Sequence, residues 1–234
     1  MNWRIENDFV TPESIPDNGN RLLVGNGYLG IRGTLEEAGK EQLAAVNLAG
    51  IYDKVGDGWR EPLNAPNPLY TRVRVDGKLL TALDGSADTH TQSLEFRHGI
   101  YSRSTRWASA GVTVYGSHIA HMGQEHLILS SFIVEAKQNT KLEIIAGIDT
   151  DIWEIYGPHY LGFNETITDT TLLCTAPVQN RKDAVSVGRK CLLDIPPDVP
   201  AEVQQEGNRL IFRLKLRAWQ QAELRSISAV YTTK

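Results

Sequence analysis

The chain alternates apolar and polar positions over short runs far more often than it repeats every three or four residues, and this alternation predicts strands. The clearest case is Leu210-Ile211-Phe212-Arg213-Leu214-Lys215-Leu216-Arg217. Leu210, Phe212, Leu214 and Leu216 share one face, and Arg213, Lys215 and Arg217 share the other, as on a strand with one buried and one solvated side. Residues 71–75 and 78–80 flank Asp76-Gly77, a tight-turn pair, and read as a hairpin. Further strands are predicted at 92–96, 100–107, 112–119, 127–136, 142–149, 170–176, 184–193 and 223–231. The run 127–134 is apolar on both parities and predicts a central strand covered on both sides. Helical periodicity is scarce. So many short runs separated by Gly, Asp and Asn favour two packed antiparallel sheets, an all-β fold built as one large β-sandwich domain over residues 1–234.

Two stretches break the pattern and are expected to be loops. Residues 53–68 carry Gly56, Gly58, Pro62, Pro66 and Pro68, too many breakers for a strand. Residues 153–164 carry Trp153, Tyr156, Gly157-Pro158, His159, Tyr160 and Phe163. Loops this long in a compact sandwich are functional or disordered, and the aromatic content argues against disorder. A third irregularity is Gly25-Asn26-Gly27-Tyr28-Leu29-Gly30-Ile31-Arg32-Gly33, four glycines in nine positions. Its Gly-x-Gly-x-x-Gly spacing matches a dinucleotide fingerprint, but the amphipathic helix that motif needs does not follow. The glycines instead predict a shaped loop that brings backbone and side chains to a rim.

Composition narrows the partners. The chain is 41% hydrophobic and 22% charged, with a net charge of −4 and a pI near 5.9. That is ordinary globular make-up, and an acidic balance argues against nucleic acid. No apolar run approaches a membrane span, the first residues lack a signal-peptide pattern, and a cytoplasmic location is expected. Cys174 and Cys191, both in predicted strands, offer neither a disulfide framework nor a metal-binding spacing, so no metal is expected.

Several motifs together resemble the N-terminal domain of glycoside hydrolase family 65. They are Asn26–Gly33 followed by Glu36-Glu37, Asn47-Leu48-Ala49-Gly50-Ile51-Tyr52, Leu63-Asn64-Ala65-Pro66-Asn67, Gln92–Arg97 with Gly99–Arg103, and Asp149–Trp153 with Gly157-Pro158-His159. That family contains maltose, kojibiose, nigerose and trehalose phosphorylases and some acid trehalases. The resemblance implies a large supersandwich of the galactose-mutarotase type, followed by a helical linker and an (α/α)6 catalytic barrel. The general-acid glutamate and the phosphate-binding groups belong to that barrel, so no catalytic residue is carried over to this chain. The implied reaction is inverting phosphorolysis of an α-linked glucoside. One carboxylic acid protonates the glycosidic oxygen and inorganic phosphate, a co-substrate rather than a cofactor, takes the place of water.

The resemblance leaves Asn26, Tyr28, Arg32, Glu36, Trp59, Asn64, Trp153, Tyr156 and His159 as residues of loops that face the substrate or the barrel. Each has a plainer reading. Arg32 is as readily a local partner of Glu36 and Glu37. His159 is as readily a loop-fixing contact to backbone. Trp59, Trp153, Tyr156 and Tyr160 would form the sugar platform of a free-standing carbohydrate-binding module, or seal loops against a neighbouring domain. A mutarotase-like epimerase would need a histidine paired with a carboxylate, and none of His90, His98, His118, His121, His126 or His159 shows such a partner in the sequence. Glu36, Glu37 and Glu61 are the acidic residues in loops that could face a substrate. If the loops face a barrel, their apolar surface makes self-association into a homo-oligomer an expected property of the isolated chain.

Overall fold

A computed structural model describes residues 3–8, 11 and 13–233. It contains three wholly antiparallel sheets. The largest has nine strands in the order β1 (Arg4–Asn7), β8 (Thr89–Glu95), β9 (Ile100–Trp107), β10 (Val112–Ala120), β11 (Leu127–Ala136), β18 (Gln221–Thr232), β15 (Ala184–Asp194), β14 (Thr171–Pro177) and β13 (Asn164–Thr168). A five-stranded sheet runs β16 (Ala201–Glu206), β17 (Arg209–Leu216), β12 (Thr140–Gly147), β6 (Thr71–Val75) and β7 (Lys78–Leu80). A four-stranded sheet runs β2 (Val24–Gly25), β3 (Leu29–Ile31), β4 (Val46–Asp53) and β5 (Glu61–Ala65). The inner faces of all three supply one continuous hydrophobic cluster, with Val114, Phe132, Val134 and Leu224 from the largest sheet, Ile144, Phe212 and Leu214 from the second, and Ile31, Leu48 and Leu63 from the third. This is the large antiparallel sandwich that the alternation predicts.

Parity carries most of the prediction. In β17, Leu210, Phe212, Leu214 and Leu216 are buried while Lys215 is exposed, and Arg213 reaches across to β12, where its Nε donates to Glu143 at 2.8 Å. Cys174 and Cys191 are buried and unbonded to each other, and burial pushes the Cys174 thiol up to about 12. The central strand β11 buries Ile128, Phe132, Val134 and Ala136, but its other face, Leu129, Ser131 and Ile133, is only half-buried. The expected cover on both sides is therefore incomplete.

Strands β1, β4, β13 and β16 have no counterpart among the predicted strands, and three further stretches depart from the sequence reading. Residues 53–68 are not all loop, because β5 pairs with β4 despite Pro62 and Asn64. Pro62 is tolerated because β5 is an edge strand whose other side makes no ladder. Residues 15–21 form a short helix, α1 (Ile15–Arg21), with a proline in its first turn. Asn18 pins it by donating to Gln92 Oε1 of β8 at 3.2 Å. The glycine-rich stretch is the β2–β3 hairpin, turned at Gly27 with φ 92°, and no helix opens at its last glycine. Among the described residues no helix is long and apolar enough to cross a membrane.

The two glycines Gly30 and Gly33 play different parts. A Cβ at Gly33 would lie 2.5 Å from the backbone oxygen of Leu22, whereas one at Gly30 meets only the Asn47 side chain at an ordinary 3.7 Å. Gly33→Ala is therefore expected to destabilise by roughly 1–3 kcal/mol, as overpacking against backbone does. Gly30→Ala should change stability by less than about 0.5 kcal/mol. Urea unfolding of both variants checks the contrast, and equal losses would contradict it.

Candidate functional site

The loops at the β4–β5 end of the sandwich gather around His159. A bulge in β4 sets this up. Val46 and Leu48 face the core, but the register shifts between Asn47 and Tyr52, where Gly50 adopts φ 81°. The extra residue moves inward parity from even to odd positions, so Ile51 and Asp53 turn in and Tyr52 turns out. Asp53 then stands directly opposite Glu61 of β5, and both are buried.

Two buried carboxylates facing each other repel, and His159 lies between them. Its Nδ1 meets Asp53 Oδ2 at 3.1 Å and its Nε2 meets Glu61 Oε1. Carboxylates only accept, so both ring nitrogens donate and the ring is an imidazolium. Burial opposes that charge, yet the hydrogen bonds that the ring donates to Glu61 and Asp53 outweigh it and raise the His159 pKa. The backbone closes the arrangement: the His159 N–H donates to Glu154 Oε1 at 3.0 Å, and the Tyr156 N–H donates to Glu61 Oε1 at 3.1 Å. Burial raises the Glu154 pKa. A small pocket of about 130 Å³ adjoins this cluster, walled by His159 and Glu61 themselves together with Asn64, Trp153, Glu154 and Ile155.

The histidine–carboxylate partnership that the sequence does not display is thus present, across separations of 98 and 106 residues. It is the pairing an epimerase uses, but His159 is 1% exposed and both nitrogens are engaged. It cannot exchange a proton with a sugar. Its contacts are to side chains, not to the backbone acceptors expected of a loop-fixing histidine.

The other candidate residues divide in two. Asn64, Trp153 and Tyr156 join His159: Asn64 Nδ2 donates to the Trp153 carbonyl at 2.8 Å, and Asn64 Oδ1 accepts from Asn47 at 2.6 Å. Trp59 is 66% exposed and meets Tyr156 edge to face, ring centres 6.1 Å apart and planes at 88°. Arg32 touches this group only through its guanidinium over the Trp153 ring, at 6.0 Å. Otherwise it is buried, donating to Asn20 Oδ1 and, at 2.7 Å, to the Pro16 carbonyl. The salt bridge of Arg32 with Glu36 and Glu37 does not form. Asn26 and Tyr28 lie elsewhere. Asn26 locks its own turn and donates to the carbonyls of His121 and Glu125 at 3.0 and 2.9 Å, while Tyr28 packs edge-on against His126 at 4.5 Å.

Glu36 is interior. Arg103 of β9 donates from Nε to Glu36 Oε2 at 2.7 Å and from Nη2 to Glu37 Oε2 at 3.0 Å. All three are buried. Burial works against the Arg103 charge, but the two carboxylates more than offset it and push its pKa up; burial, only partly countered by Arg103, raises Glu36. Close by, burial lowers His118 to about 3 and His90 to about 4. Both are neutral at pH 7. Glu36, Glu37 and Glu61, the acidic residues expected in substrate-facing loops, are therefore all spent in buried ion pairs. Arg103 escapes a motif search, but parity marks it: Tyr101, Arg103, Thr105 and Trp107 share the buried face of β9, and an arginine there needs buried acceptors, which here are two carboxylates. Among the described residues no cluster of histidine, cysteine and carboxylate groups is open to hold a metal ion.

Residues 5–234 match the family model described as glycosyl hydrolase family 65, N-terminal domain. The chain belongs to this family. It is 49% identical over 162 residues to a nigerose phosphorylase of Lachnoclostridium phytofermentans, covering 68% of this chain and 22% of that one. It is 29% identical over 232 residues to a 1,2-alpha-glucosylglycerol phosphorylase of Bacillus selenitireducens, covering 98% and 30%. The fold matches a putative kojibiose phosphorylase from human microbiome with a TM-score of 0.83 over 99% of this chain and 32% of that one, at 15% identity. The chain thus spans less than a third of the length of each of these relatives.

Two expectations follow for this family 65 domain. Replacing Arg103 by Met leaves two buried carboxylates unpaired and is expected to cost roughly 3–5 kcal/mol, whereas Glu36→Gln keeps the shape and an acceptor and should cost under about 1.5 kcal/mol. Chemical denaturation distinguishes them. The stability supplied by His159 has a defined sign. Its folded pKa is raised, so the contribution is complete below the ordinary imidazole value of about 6.5 and is lost as pH rises through the folded value. The stability gap between the parent and His159→Gln should be widest near pH 6 and shrink on the alkaline side. A gap constant with pH would show that the ring is not charged.

Proposed function

We propose that this chain is the accessory sandwich of a glycoside phosphorylase that cleaves an α-linked glucoside with inorganic phosphate, and that it carries none of the bond-breaking groups. One observation supports this reading above others: Asp53, Glu61, Glu36 and Glu37 are neutralised by buried cations, and Glu154, the acid left beside the small pocket of about 130 Å³, is held by the His159 backbone N–H at 3.0 Å and has no second free carboxylate facing it across that pocket. Protonating a glycosidic oxygen requires a carboxylic acid with a raised pKa beside the leaving oxygen. Asp53 and Glu61 are sealed by His159, and Glu36 and Glu37 by Arg103. The similarity to phosphorylases of nigerose and glucosylglycerol supports the reaction class.

The same loops suit a domain interface better than a sugar platform. Of the four aromatics that could stack on a sugar, Tyr160 is buried and Trp153 half-buried, leaving Trp59 and Tyr156 perpendicular to each other. A perpendicular pair offers no flat surface to a pyranose. Trp59, Ile155, Tyr156 and Leu161 are 66%, 55%, 48% and 70% exposed, the kind of apolar rim that a neighbouring domain covers. That neighbour is the catalytic barrel of the same protein.

The chain alone, incubated with maltose, kojibiose, nigerose and trehalose with and without phosphate, should release neither glucose nor glucose 1-phosphate. The full-length protein, and only with phosphate, should release glucose 1-phosphate together with an equal amount of the freed acceptor, which is glucose for these four disaccharides and the aglycone for a related α-glucoside. Turnover by the chain alone would overturn the reading. In the full-length protein, Trp59→Ala combined with Tyr156→Ala should open the interface, read as faster proteolytic separation of sandwich from barrel, while leaving the melting temperature of the isolated sandwich within about 2–4 °C.

A further inference from the structure

We infer that one water molecule is built into the interior of this domain, in a small cavity where it links Arg32, Glu36 and His118. The site belongs to the sandwich itself and does not depend on the catalytic reading.

Three elements meet there. Arg32 follows directly on β3, Glu36 lies in the segment joining β3 to β4, and His118 stands on the inward parity of β10. Gly116 shares that parity, and a Cβ on it would overlap the Glu36 carboxylate, so the carboxylate lies against the same strand as His118. With Thr34, Asn67 and a ring of apolar side chains, these residues line a cavity of about 10 Å³. That is the lower limit for one water molecule, and it leaves no room for a sugar or a phosphate. Apart from half-buried Asn67, every lining residue is buried.

The polar lining decides what occupies this space. Arg32 is 8% exposed and His118 3%, and each has a buried nitrogen, Arg32 Nε and His118 Nε2, with no hydrogen-bond partner among the described residues. The other Arg32 nitrogens are engaged, Nη1 with Asn20 Oδ1 and Nη2 with the Pro16 carbonyl. Glu36 Oε2 accepts from Arg103 at 2.7 Å, and a carboxylate has further lone pairs to offer. Buried nitrogens left unpaired are costly. An apolar cavity of this kind stays dry, whereas one with two to four polar partners holds an ordered water.

The same three groups exclude other occupants. The guanidinium only donates, the carboxylate only accepts, and a neutral imidazole nitrogen does one or the other according to its tautomer. His118 is neutral at pH 7, because burial opposes its charge. A species that serves all three has to donate and accept at once. A metal cation would face the guanidinium and a halide would face the carboxylate, each against a like charge. Arg32 Nε therefore donates to the water oxygen, and the water donates to Glu36. Arg32 and Glu36, which form no direct salt bridge, are paired through one water, and His118 ties that pair to the nine-stranded sheet.

A crystal structure of the chain, alone or within the full-length protein, tests this. One ordered oxygen peak is expected within about 3.2 Å of both Arg32 Nε and His118 Nε2, with no anomalous signal at that place after a bromide soak. In solution, the Arg32 Nε–H should show a direct nuclear Overhauser effect to water, with the sign that marks a long-lived bound molecule. His118→Phe keeps the ring that stacks on Tyr101 but removes the nitrogen and extends into the cavity, so the peak and the water signal at Arg32 should both be lost. His118→Gln, which keeps a polar end, should retain them. The parent protein decides the matter if His118→Phe folds poorly. A cavity without density, a peak that bromide replaces, or a water signal at Arg32 unchanged by His118→Phe would each overturn the inference.

Discussion

The ion triad of Arg103 with Glu36 and Glu37 is the interaction on which the three sheets depend. Arg103 comes from the nine-stranded sheet and points into the core, where its guanidinium also lies 5.5 Å from the Phe132 ring and donates to Thr105 at 2.9 Å. Glu36 and Glu37 belong to the irregular segment that joins β3 to β4 within the four-stranded sheet. From there the Glu36 carbonyl accepts the N–H of Thr71 at the start of β6, and Glu37 Oε1 accepts the N–H of Ala82 just past β7. One buried cation thus holds a loop that in turn holds the edge of the five-stranded sheet. Buried charges contribute little net stability beyond what apolar packing would give, but they forbid alternatives in which one partner is left alone. Its value here is to fix how the sheets meet. Gly116 records the constraint from the other side, since a side chain at that inward position of β10 would overlap the Glu36 carboxylate.

The His159 cluster solves a similar problem at the loop end. Once the bulge at Gly50 has turned Asp53 inward against Glu61, the β4–β5 pair is electrostatically unfavourable by itself, and among the described residues the compensating cation comes from the segment after β12. Folding of 153–163 is thereby tied to the pairing of two strands about a hundred residues earlier in the chain. Asn64 and Tyr160 add neutral ties of the same kind, Tyr160 Oη donating to the Asn64 carbonyl at 2.7 Å. These ties hold the rim in one shape. A rim held in one shape is what an interface needs, because its surface is then presented without a further ordering cost.

The strands were legible because parity is a local property. Each of the longer runs, 100–107, 112–119, 127–136, 184–193 and 210–217, needs only its own residues to declare a buried face, and each appears within one or two residues of its expected limits. Strand β5 was not legible, since Pro62 and Asn64 disguise it and only its edge position makes them acceptable. Arg32 was misassigned for a related reason. Sequence proximity suggested Glu36 and Glu37 as partners, whereas the ion pairs formed with an arginine more than sixty residues away. The family resemblance reached further than the residues could, to a fold type and a class of reaction, and the match over 5–234 bears out both the family and its fold.

What neither local pattern nor resemblance separates is the role of a polar residue on a strand. Arg103, Arg189, His118 and Gln92 all occupy inward positions, and each has a structural answer or burial deep enough to silence it. Arg189 donates to the carbonyls of Tyr70 and Gly147 at 2.6 and 2.9 Å and to Thr71 Oγ1 at 2.9 Å, filling backbone acceptors between sheets. Inward position alone therefore does not tell a polar residue that the fold pairs, as Arg103 and Arg189 are paired, from one that it merely encloses, as with His90 Nε2, His118 Nε2 and Ser228 Oγ, which have no hydrogen-bond partner among the described residues; the difference lies in what the other sheets bring opposite, which no single strand encodes.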